Sequence, residues 1–81
     1  MVRRLGEALA LHKQQEAICL ELGNKVGLGY CYWQWGSLAK QQGDKQAAKQ
    51  KLEQALAIFS ELKMPRERDA VQAELDQANA A

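Results

Sequence analysis

Shifting the 81-residue chain by forty positions lays one half over the other. Ala8 falls on Ala48, Gln14 on Gln54, Ala17-Ile18 on Ala57-Ile58 and Glu21-Leu22 on Glu61-Leu62. In the same register Cys19 meets Phe59, Cys31 meets Val71 and Trp35 meets Leu75. Self-similarity at a period of this size marks a chain that builds its core by stacking like units, since one unit alone cannot bury its apolar face.

The units are helical. Ala, Leu, Gln, Glu and Lys abound, β-branched residues are scarce, and Gly23, Gly43 and the one proline punctuate the periodic stretches. Helix 1 is expected over about residues 5–22, with Leu5, Ala8, Leu9, Leu11, Ala17, Ile18 and Leu22 at helical spacings and Gly23-Asn24 as its left-handed stop. Helix 2 is expected from about Val26 to Gln42, with Cys31, Tyr32, Trp35, Leu38 and Ala39 as its buried stripe. Gly43 ends it and Asp44 caps helix 3, about Lys45 to Leu62, which aligns Ala48, Leu52, Ala55, Leu56, Phe59 and Leu62 on one stripe. Pro65 suits the first turn of helix 4, where a missing N–H costs nothing, and Glu67 and Asp69 favour that helix end. Helix 4 runs to about Ala78 with a thin apolar set, Ala70, Val71, Leu75 and Ala78, enough to cover one neighbour.

Tyr32, Trp35-Gly36 and Ala39, followed by Gly43-Asp44 and then Ala48, Leu52 and Ala55, resemble the tetratricopeptide repeat. Where the family places Leu this chain has Trp35, its usual aromatic is Ala39, and its turn proline is delayed to Pro65. The larger Trp35 is expected to fill the space left at Ala39, while Gly36, Ala48 and Ala55 let two helices approach closely. The forty-residue period and the Ala17 to Lys25 phrase are similar to the longer repeats of Pins-type scaffold adaptors, kinesin light chains and bacterial signalling proteins. The resemblance implies one all-α domain over residues 1–81: antiparallel helix hairpins of an α-solenoid with right-handed superhelical stacking, and one full repeat at about 26–62.

It further implies a concave face that binds another polypeptide. The matching positions are Tyr30, Trp33, Ser37, Lys40 and Gln41, which share a helical face separate from the buried stripe. Tyr30 and Trp33 offer broad apolar contact, with Lys40 and Gln41 supplying direction. Two readings of Trp33 stay open, a peptide contact and a contact with another helix or a second copy. Helix 1 reads as the second helix of a repeat, so its surface around Leu5, Ala8, Leu9 and His12 is expected to be uncovered, and a homodimer through that helix follows.

Composition narrows the alternatives. Eleven basic against ten acidic residues leave a formal charge of +1, too little to gather a phosphate backbone or an anionic membrane. Lys40, Lys45, Lys49 and Lys51 form a local basic run that reads as a solvated face. Cys19 and Cys31 read as reduced core residues of a cytoplasmic protein, and their spacing with His12 matches no compact zinc site. His12, the single histidine, has no nucleophile or orienting carboxylate at a recognised spacing, so it reads as a surface or interface residue. The expectation is a binding module without catalytic residues, metal or cofactor, and the rival reading is a segment that only dimerises or extends a larger solenoid.

Overall fold

The structure is a computed structural model that describes the backbone of residues 2–80 and the side chains of residues 10–79. These residues form four helices, α1 (Val2–Leu22), α2 (Lys25–Gln41), α3 (Lys45–Glu61) and α4 (Pro65–Ala80), with no strand among them. The expected boundaries hold to within three residues at each end, because each break is set by local chemistry rather than by packing.

That chemistry recurs every twenty residues. Gly23 (φ 69°), Gly43 (φ 83°) and Lys63 (φ 57°) each take the left-handed conformation just past a helix. The next backbone N–H then reaches back to an orphan carbonyl: Asn24 to Cys19 at 2.8 Å, Asp44 to Ala39 at 2.9 Å and Met64 to Phe59 at 2.9 Å. This is a Schellman closure at all three turns. Asn24 and Asp44 then accept from the N–H groups of Gly27 and Ala47, capping α2 and α3. Met64 has no such side chain, and α4 instead starts on Pro65, with Glu67 in its first turn.

The helices pack as a slab 36 × 33 × 16 Å. Helix α2 packs most extensively on α3, α3 also packs on α4, and α1 packs on α2. The core is Tyr32, Leu52, Ala55, Phe59, Val71 and Leu75. Ala48, Leu52, Ala55 and Phe59 are fully buried, so the expected stripe on α3 forms the floor of the molecule, with Leu56 and Leu62 half-buried at its margins. A β-carbon on Gly36 would stand 2.8 Å from Leu52 Cγ and 3.1 Å from the Leu52 backbone nitrogen, so the close approach of α2 and α3 requires glycine there. Cys19, Cys31, Tyr32 and Ala39 are buried as expected, and both cysteines are free thiols.

Four expectations are corrected. Trp35, expected in the buried stripe, is half-buried: it packs against the core, its ring lies parallel to His12 with centroids 6.2 Å apart, and Lys51 Nζ sits 3.8 Å from its centroid. His12 is accordingly half-buried against α2, and the large apolar side chains left exposed among the described residues of α1 are Leu11, Ile18, Leu20 and Leu22. The side chains of Leu5, Ala8 and Leu9 lie outside the described residues. The lysine run is also not one solvated face, since Lys51 covers Trp35 and Lys40 is bonded to α4, whereas Lys45 and Lys49 are exposed. Ala70 is exposed, and α4 buries only Val71, Leu75 and Ala78. No helix among the described residues is long and apolar enough to cross a membrane.

Candidate functional site

One face of α2 looks across a groove at α4. The groove has a volume of 590 Å³ and is lined by His12, Tyr30, Trp33, Ser37, Gln41 and Glu74, with Gln34 and Leu38 completing its walls. Four of the five expected concave-face residues, Tyr30, Trp33, Ser37 and Gln41, meet there. The fifth, Lys40, reaches over to α4, donating to Gln77 at 3.1 Å and lying 3.8 Å from a Glu74 oxygen.

The groove is framed by a ladder of side-chain bonds from α2 to α4. Tyr30 donates its hydroxyl to Glu67 at 2.8 Å, the Trp33 indole N–H donates to Glu74 at 3.1 Å, and Ser37 donates to the other Glu74 oxygen. All three donors recur on the same α2 face because spacings of three and four residues return to one side of a helix. Their acceptors Glu67 and Glu74, and Gln77, which accepts from Lys40, recur on α4 for the same reason.

The aromatic pair is anchored from beneath. Tyr30 and Trp33 stack with centroids 5.9 Å apart, and both meet fully buried Phe59 edge-on, at 5.2 Å and 6.0 Å. Both rings are half-buried, so each rests on the core while keeping surface toward the groove. The two readings of Trp33 are therefore not exclusive, since it contacts α3 and α4 and also lines the opening. Rings held this way lose little rotamer freedom when something binds on them.

Environment shifts the titrating groups nearby. The bond to Glu67, aided by burial, pushes the Tyr30 phenol above its ordinary 10.0. Burial, together with a bond to Glu16, pushes Tyr32 up to about 12. Burial also raises the Cys31 thiol, which donates to the His12 carbonyl at 3.2 Å, and holds His12 below 6.5. A raised thiol pKa leaves Cys31 protonated and unreactive.

The carboxylates of Glu67 and Glu74 are the part of the site that pattern reading of α2 missed. A signal existed, because Glu67, Ala70, Glu74 and Gln77 fall at intervals of three, four and three on α4. Which α2 face they meet depends on how the two helices cross, and that is fixed by packing. Comparison with known proteins found no matching family model, no matching curated protein and no matching solved structure.

Proposed function

We propose that the chain is a protein-binding module of tetratricopeptide type whose α2–α4 groove receives an extended peptide. The observation that carries this reading is the pair Tyr30 and Trp33, seated on Phe59 yet lining an open groove of 590 Å³. Support for the repeat assignment comes from the three equivalent Schellman turns at Gly23, Gly43 and Lys63 and from the close contact of Gly36 with Leu52. Two free, buried cysteines favour a reducing compartment, the cytoplasm.

Selection from a random peptide display library tests the reading. Peptides enriched on the native chain are expected to be lost by Trp33→Ala and by Gln41→Trp, the latter adding bulk at an exposed groove position where no buried contact is removed. Circular dichroism checks that both variants keep their helices. Enrichment that survives both substitutions overturns the groove as the binding site.

A second reading is favoured by a separate observation. Leu11, Ile18 and Leu22 lie on one side of α1 and are 63%, 55% and 74% exposed. On this reading the face covers a second copy of the chain by α1 against α1. Sedimentation at micromolar concentration is expected to give a dimer that Ile18→Glu converts to a monomer, and a native monomer refutes it.

A further inference from the structure

We propose that the groove selects a cationic segment with two arginine or lysine side chains three residues apart, an assignment that rests on the groove being the peptide site. Two carboxylates of α4 stand at the groove, Glu74 in its lining and Glu67 bonded to the lining residue Tyr30, and the ammonium of Lys40 lies 3.8 Å from Glu74. Glu74 is held in place before any ligand arrives, by the Trp33 indole on one oxygen and the Ser37 hydroxyl on the other. A carboxylate oxygen has more than one acceptor direction, so Glu74 keeps capacity for a guanidinium donor.

The aromatic wall suits the same ligand. Tyr30 and Trp33 stack 5.9 Å apart with their edges braced on Phe59, which leaves ring surface beside the carboxylates. A guanidinium both stacks on such a surface and bonds a carboxylate bidentately. An acidic segment would place like charge against Glu67 and Glu74, and a nucleic acid backbone would do the same. Glu67 and Glu74 are two helical turns apart, about 10.5 Å along α4. Residues three apart in a polyproline II segment share one side and span about 9 Å, which matches that separation.

The test uses three synthetic peptides of one length and one proline-rich apolar composition, carrying Arg, Gln or Glu at two positions three residues apart. Fluorescence anisotropy measures affinity, and the Trp33 indole N–H resonance, assigned with Trp33→Phe, reports the site. The arginine peptide is expected to bind at least about tenfold more tightly than the glutamine peptide, with the glutamate peptide weakest. Glu74→Gln and, separately, Glu67→Gln remove that preference, while Lys40→Gln strengthens arginine-peptide binding by about two- to threefold. Circular dichroism confirms that each variant remains folded.

Equal affinity for the three peptides, or preference for glutamate, overturns the charge assignment and leaves the groove reading standing. Failure of the arginine peptide to bind at millimolar concentration also overturns it. The groove itself is then decided independently by the display selection with Trp33→Ala and Gln41→Trp.

Discussion

Gly36 lies so close to Leu52 that a β-carbon added to it would come within 2.8 Å of Leu52 Cγ. Leu52 is fully buried and its own backbone nitrogen is 3.1 Å from the same point, so relief requires the two helices to separate. Gly36→Ala gains about 1 kcal/mol of helix propensity. It loses about 1–3 kcal/mol to overpacking. The variant is expected to be less stable by about 1 kcal/mol in urea denaturation, and Gly36→Val by more, since a second methyl cannot avoid Leu52.

Three turns with one geometry but different residues make a controlled comparison. Lys63 adopts φ 57°, a conformation that costs a side-chain-bearing residue about 1–2 kcal/mol. Lys63→Gly relieves this but adds freedom to the unfolded chain, so a net gain of about 0.5 kcal/mol is expected. Gly23→Ala and Gly43→Ala impose the strain and are expected to lose about 1 kcal/mol each, although a β-carbon at either meets nothing within 4 Å. Thermal unfolding of the three variants side by side checks that the signs are opposite.

Much of this fold is written in local chemistry. Gly23-Asn24, Gly43-Asp44 and Pro65 place every helix break, and Ala48, Leu52, Ala55 and Phe59 are all fully buried as their spacing implies. Trp35 shows where that reading stops. Its helical position is correct, but His12 from α1 and Lys51 from α3 approach it from other helices and leave it half-buried. The α2 half of the candidate groove was legible as a face for the same reason that the core was. The α4 half, Glu67 and Glu74, was not, because a helical pattern names faces without saying which face meets which. On α1 the apolar period is present, yet Leu11, Ile18 and Leu22 are exposed and Cys19 is the buried one among its described side chains.

Stability is expected to fall at both ends of the pH range. Tyr32 has its phenol raised to about 12 in the folded chain, by burial first and then by Glu16, against 10.0 when unfolded. Its contribution is complete below pH 10.0 and is lost as pH rises through about 12. Tyr30 adds a loss of the same sign, caused first by its bond to Glu67. In urea titrations above pH 10.0, Tyr32→Phe is expected to flatten the decline.

At the acidic end His12 carries the opposite case. Burial holds its folded pKa below 6.5, so the unfolded chain takes up the proton first and stability drops as pH falls below that value. Lys51 Nζ lies 3.8 Å from the Trp35 ring centroid, and Glu16 follows His12 by one turn of α1. His12→Phe keeps a ring against Trp35 and is expected to remove this component of the acid sensitivity, which the urea midpoint at pH 5 and pH 7 measures.

The position of the ligand is read most directly from amide and indole resonances of the labelled chain, recorded as a library-selected peptide is titrated in. Shifts are expected at the Trp33 indole N–H, at Ser37 and Gln41 on α2 and at Glu74 on α4, with α1 around Ile18 unchanged. Shifts confined to Leu11, Ile18 and Leu22, with the Trp33 indole unmoved, would contradict the groove as the seat of binding.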